Sequence, residues 1–137
     1  MIKDRITKKV LGWSLVFLFL IAIDQTVKLL VARPFLNYRF AFGLPVPEWL
    51  MFLIYAVILL LIIRYCARNF AKFSHWQTFA WLLIFSGAIS NVGERIVLGY
   101  VRDFIYIWTG VFNLADGYII TGIIMLLLNA HSEKKVP

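Results

Sequence analysis

The sequence predicts an all-α membrane protein with four transmembrane helices, both termini cytoplasmic and short extracytoplasmic loops. Three observations carry that prediction. Of 137 residues, 62% are hydrophobic and only 15% charged, with a mean hydropathy of +0.84. A soluble domain of this size could not cover so much apolar surface with so few charges, so the natural solvent is lipid. Four apolar stretches recur, at about 10–32, 49–63, 76–89 and 111–128, and each approaches the length that crosses a bilayer. Lysine and arginine gather at the ends of these stretches and form no single patch. The net charge of +7 therefore reads as membrane topology and not as nucleic-acid binding.

The first stretch follows Lys3, Arg5, Lys8 and Lys9, which resemble the basic region of a signal peptide. It is too long for a signal core and no small-x-small cleavage site follows, so it reads as a retained helix. The second and third stretches are short for a crossing and are expected to extend into their flanks. The fourth ends at Asn129, His131 and Ser132. With the N-terminus inside, Arg64, Arg68, Lys72, Lys134 and Lys135 join the N-terminal basic residues on the cytoplasmic side. Only Arg33, Arg39, Arg95 and Arg102 fall outside, which favours this orientation. Trp13, Trp49, Trp76 and Trp108 sit near the interfaces, as belt aromatics do. Cys66 has no partner for an internal disulfide and reads as an ordinary inner-surface residue. The whole chain, 1–137, reads as a single transmembrane domain.

Polarity concentrates at the outer end. Asp24 and Lys28, four apart, share one helix face. They read either as a self-neutralising pair or as an inward-facing support for a site. A first outer loop carries Asn37, and a second, roughly 90–110, carries Asn91, Glu94, Arg95, Arg102 and Asp103. Arg102 and Asp103 read as solvated loop charges. Asp116 follows Phe112-Asn113-Leu-Ala115 and falls in the first or second turn of the last helix. An acid there suits the helix dipole, with Asn113 as N-cap. A carboxylate at membrane depth is also costly and is a functional candidate by default. Glu94 is expected at the same depth. Two close carboxyls share a proton, so one can deprotonate an attacking water while the other protonates the scissile carbonyl. Asn37, Asn91 and Asn113 could hold a peptide backbone without adding charge. No His/Cys cluster or glycine-rich phosphate loop accompanies them, so neither a metal nor a cofactor is expected.

At these residues the chain resembles the lipoprotein signal peptidase (signal peptidase II) family. Asp24 to Lys28 is similar to that family's Asp-x-x-x-Lys, and Asn37-Tyr38 with Ala41-Phe42 to its Asn-x-Gly-Ala-Ala-Phe loop. Gly87-Ala88 with Asn91 to Arg95 resembles Gly-Ala-x-x-Asn-x-x-Asp-Arg, and Gly99-Tyr100-Val101 with Asp103-Phe104-Ile105 follows at family spacing. Phe112 to Asp116 matches Phe-Asn-x-Ala-Asp without change. The resemblance implies an aspartic endopeptidase of the bacterial cytoplasmic membrane. Its substrates would be diacylglyceryl-modified prolipoproteins, cut at the extracytoplasmic face just before the lipidated cysteine. It implies Asp116 as one catalytic aspartate, with Glu94 in the place of the other. Asn37, Asn91, Arg95, Asn113 and Ala115 would bind or orient substrate, supported by Asp24 and Lys28.

The chain departs from the family pattern in three places. Glu94 replaces an aspartate and sets the carboxylate one methylene further out. Arg39 and Phe40 replace small residues, and Arg39 could meet an anionic lipid headgroup. Only residues 25–36 lie between Asp24 and Asn37, so a substrate cradle is expected to be trimmed. The expected partners are the lipid-modified substrate and membrane lipid, with the oligomeric state left open. A catalytically weak relative that binds membrane peptides or joins a membrane complex is the alternative. A proton- or ion-handling bundle is disfavoured, because the acids cluster at one surface.

Overall fold

The computed structural model describes residues 2–38 and 46–133 of the chain. Four long helices carry the fold: α1 (Ile2–Leu30), α2 (Glu48–Asn69), α3 (His75–Leu98) and α4 (Leu114–Glu133). All four are long and apolar enough to cross a membrane, over Val10–Leu30, Glu48–Lys72, His75–Leu98 and Leu114–His131. Helices are the one open-ended element that satisfies its own backbone in lipid, which is why apolar runs of this length fold this way. The α3 span is 39% buried, against 6% for those of α1 and α2, so α3 is the hub. Leu15, Phe19, Leu60, Leu61, Leu127 and Leu128 are exposed on the other helices, as lipid-facing residues would be.

Helix α3 begins at a capping box. Gln77 N donates to Ser74 Oγ at 3.1 Å, and Ser74 N donates to Gln77 Oε1 at 2.9 Å. It packs on α4 through glycines: a side chain at Gly87 would collide with the Ala115 carbonyl, and one at Gly122 with the Ala80 carbonyl. Small residues let helix backbones approach this closely where lipid supplies no hydrophobic drive. Ala80, Leu83 and Met125 form the buried centre of this contact.

Sequence and structure differ at the end of the bundle that carries Asp116. Helix α3 continues to Leu98, so Asn91, Glu94 and Arg95 lie on a helix and not in a loop. No proline interrupts the segment. The helix stops at Gly99, whose left-handed φ of 81° is open to glycine and whose N–H closes on Arg95 O at 2.9 Å. Beyond it this end of the bundle is not all-α. Strand β1 (Phe35–Asn37) pairs antiparallel with β2 (Val101–Asp103), matching Phe35 to Asp103 and Asn37 to Val101. Strands β3 (Ile105–Ile107) and β4 (Gly110–Phe112) form a hairpin with Trp108 at its exposed tip. The short first loop thus still contributes a strand to a small sheet. Arg39, Phe40, Ala41 and Phe42 lie outside the described residues, as do Lys134 and Lys135.

Candidate active site

Asp116 stands in the first turn of α4, held by a reciprocal cap. Its N–H donates to Asn113 Oδ1 and its Oδ2 accepts from Asn113 N, both at 3.0 Å. The free N–H groups of a helix start are matched this way, and the dipole favours a negative charge there. The local sequence Asn113-Leu-Ala-Asp116 is sufficient to build it. The other oxygen, Oδ1, accepts from Asn91 Nδ2 at 2.8 Å, which ties α4 to α3.

Asp103 is the second acid at this site, and it is not a solvated loop charge. Pairing of β2 with β1 draws it inward until it is 2% exposed. Its Oδ1 accepts from Asn113 Nδ2 at 2.6 Å and its Oδ2 from Asn37 Nδ2 at 2.9 Å. Asn113 therefore holds both carboxylates, Asp103 through its side chain and Asp116 through its backbone. Burial pushes the Asp103 carboxyl above its ordinary value. The Asn37 and Asn113 amides oppose this, Asp116 adds to it, and Lys28 opposes it. Sequence reasoning did not place Asp103 at the site. The available signal was period two: Val101 and Asp103 lie on the same face of a short strand, and both are buried.

Glu94 occupies a different place. Its side chain is 1% exposed and enclosed by cations. Oε2 pairs with Lys28 Nζ at 2.9 Å, Oε1 takes the Arg102 Nε, and Arg102 N approaches Oε2 at 3.4 Å. No hydrogen bond or ion pair joins it to Asp116. The expected Glu94–Asp116 pair is thus replaced by a Glu94–Lys28–Arg102 cluster. The reason is steric and electrostatic: the last turns of α3 aim Glu94 at α1 and β2, where two positive side chains await it.

The remaining expected residues fall into one network, with one exception. Asp24 is fully buried. It accepts from Ala115 N at 2.9 Å, from Ser90 Oγ at 2.6 Å and from Lys28 Nζ at 2.9 Å. Lys28 also donates to Asn91 Oδ1 at 2.9 Å, so one ammonium serves three acceptors on two helices. Asn91 Oδ1 accepts from Asn113 Nδ2 as well, at 3.1 Å. Gln25, which donates to Ser90 Oγ at 2.8 Å, also receives Arg102 Nη2 at 3.2 Å. Arg95 is the exception. It turns to α2, donating to the Tyr55 hydroxyl at 2.6 Å, with its guanidinium carbon 5.6 Å from the ring centre. Gln25, Ser90, Arg102 and Tyr55 were not singled out from sequence as site residues, since ordinary polar residues acquire meaning only from what they face.

Four membrane-length helices with two acids held by one asparagine at one end define a membrane-embedded aspartic-protease architecture. A family model described as signal peptidase (SPase) II matches residues 4–131, and the chain belongs to that family. A lipoprotein signal peptidase of Fusobacterium nucleatum subsp. nucleatum is 34% identical over 134 residues, spanning 82% of this chain and 81% of the relative. One from Pseudomonas putida is 30% identical over 154 residues, spanning 91% and 90%. Among solved structures, two described as bacterial membrane enzymes share the fold. One has a TM-score of 0.72 at 23% identity, covering 87% of this chain and 92% of its own. The other has a TM-score of 0.71 at 19% identity, covering 90% of both.

Proposed function

We propose that this signal peptidase II cleaves diacylglyceryl-modified prolipoproteins with Asp103 and Asp116 as the catalytic pair. The observation that carries the reading is Asn113, which binds both carboxylates at once, while Glu94 is committed to two cations. The pair shares one proton. Asp116, at the positive end of α4, is the ionised member and takes a proton from water as the water oxygen bonds to the scissile carbonyl carbon. Asp103, the protonated member, donates its proton to the carbonyl oxygen. Collapse of the resulting gem-diol returns a hydroxyl proton to Asp103 as the carbonyl re-forms. The Asp116 proton passes to the amide nitrogen as the C–N bond breaks. Asn37 and Asn91 hold the carboxylates and have amide groups suited to a peptide backbone. Asn113 and Ala115 orient the carboxylates and their support, with Asp24 and Lys28 beneath them, while Arg95, turned to Tyr55, braces α3 against α2.

The site faces the outside of a bacterial cytoplasmic membrane, with both termini in the cytoplasm. The distribution of lysine and arginine supports this orientation. Membrane lipid surrounds the spans and, with the lipidated substrate, is the expected partner. The alternative of a non-catalytic peptide binder rests on Glu94 as a catalytic acid one methylene too long, and in this proposal Asp103 takes that role.

The test is cleavage of a diacylglyceryl-modified prolipoprotein by purified protein. Asp103→Asn and Asp116→Asn should each lower kcat by on the order of 10²–10⁴-fold, as loss of a general acid or base does. A variant with Asn at position 103 that cleaves normally would refute the assignment of the pair.

A further inference from the structure

We infer that Glu94 is a positioning residue that sets Asp103 and Asp116 together by gripping Arg102 and Lys28 at the same time. The inference rests on the Asp103–Asp116 reading and extends it to how the pair is held. Toward Asp103, Glu94 takes the Arg102 Nε on one oxygen and approaches the Arg102 N–H with the other at 3.4 Å. Arg102 is the residue before Asp103, so fixing both its backbone and its side chain fixes strand β2. That strand pairs with β1 over three residues only, a length too short to define its own position. Toward Asp116, Glu94 binds Lys28 at 2.9 Å; Lys28 donates to Asn91 Oδ1, which leaves Asn91 Nδ2 to donate to Asp116.

A second consequence concerns charge. Asp24 and Lys28 come from α1, Glu94 from α3, Arg102 and Asp103 from β2, and Asp116 from α4. Lys28 and Arg102 are balanced by Asp24 and Glu94. Neutralising Glu94 leaves one uncompensated positive charge beside the catalytic pair, which favours loss of its shared proton. The glutamate chain length also has a use here: its two oxygens reach donors on both α1 and β2 from the last turns of α3.

The experiment compares wild-type, Glu94→Gln and Glu94→Asp full-length protein in detergent or nanodiscs, with Asp103→Asn alongside. The readouts are kcat and KM against pH on a diacylglyceryl-modified prolipoprotein, with the folded fraction from thermal unfolding. Glu94→Gln should lower kcat about tenfold or more with little change in KM, and move the pH profile toward acid. Glu94→Asp should keep the wild-type pH profile while kcat falls, since the charge remains and the reach does not. Wild-type kcat and pH profile in Glu94→Gln would overturn the inference. So would a loss that follows the folded fraction with an unmoved profile. If Glu94→Gln does not fold, wild-type kcat in Glu94→Asp overturns it alone. Inactive Asp103→Asn beside normal Glu94→Gln would remove only this inference. Active Asp103→Asn beside inactive Glu94→Gln would remove the catalytic pairing itself and make Glu94 the second acid.

Discussion

At the scale of the residue, the site depends on which charges are compensated and which are left to titrate. Lys28 is the hinge of that distribution, since its buried ammonium faces Asp24, Glu94 and Asn91. Lys28→Met would leave buried Asp24 without its lysine and Glu94 with Arg102 alone. Removing one partner of a buried pair costs about 3–5 kcal/mol, so thermal unfolding in detergent should show a large drop; a shift within error would refute this role. Asp103 gives a pH prediction with a definite sign. Its folded-state value lies above the ordinary one, so the protonated form favours the fold. That stability is fully present below the ordinary carboxylate value and is lost as pH rises through the raised folded value. Melting temperature should fall across this window in the wild type, and less in Asp103→Asn, which is neutral at every pH. Identical pH dependence in the two proteins would contradict the burial argument.

At the scale of the element, the start of α4 and the end of α3 matter most, because each couples helix chemistry to the site. The reciprocal cap between Asn113 and Asp116 satisfies two N–H groups of the α4 start while aiming the Asp116 carboxylate. Close packing of α3 on α4 keeps Asn91 within reach of that carboxylate, and it depends on Gly87 facing the Ala115 carbonyl. Gly87→Leu puts a side chain against backbone, which cannot move as a flexible side chain would. The helices must separate beside Ala115, whose N–H holds Asp24. Cleavage should fall at least about tenfold and the melting temperature should drop, as overpacking by about 1–3 kcal/mol implies. Gly93, whose Cβ would meet nothing within 4 Å, is the matched control: Gly93→Ala should leave cleavage near wild type.

At the scale of the whole molecule, four helices set the depth of the site and the two small sheets set its shape. Their exposed apolar surface needs lipid around it, and the paired acids sit at one end of the bundle and not along a path across it. Substrate must therefore arrive at that end. A reporter fused after residue 137 should read as cytoplasmic, and a cysteine placed at the hairpin tip, Trp108→Cys, should label from outside. The reverse pattern would put the acids on the wrong face for processing secreted lipoproteins.

What the sequence determined by itself was local. The four spans followed from contiguous apolar length, and the cap at Asn113-Leu-Ala-Asp116 followed from residues within one turn of each other. The pairing of Asp24 with Lys28 followed from spacing on one helix. These features need no knowledge of the rest of the chain. The identity of the acid facing Asp116 was not of that kind. Depth favoured Glu94 and left Asp103 as a solvated loop charge, and the fold separates the two by contacts distant in sequence. Residue 35 pairs with residue 103 and buries that aspartate, while Lys28 crosses to residue 94 and neutralises that glutamate. A carboxylate's chemistry is set by the charges and amides around it in space, so tertiary structure alone could tell the catalytic candidate from its support.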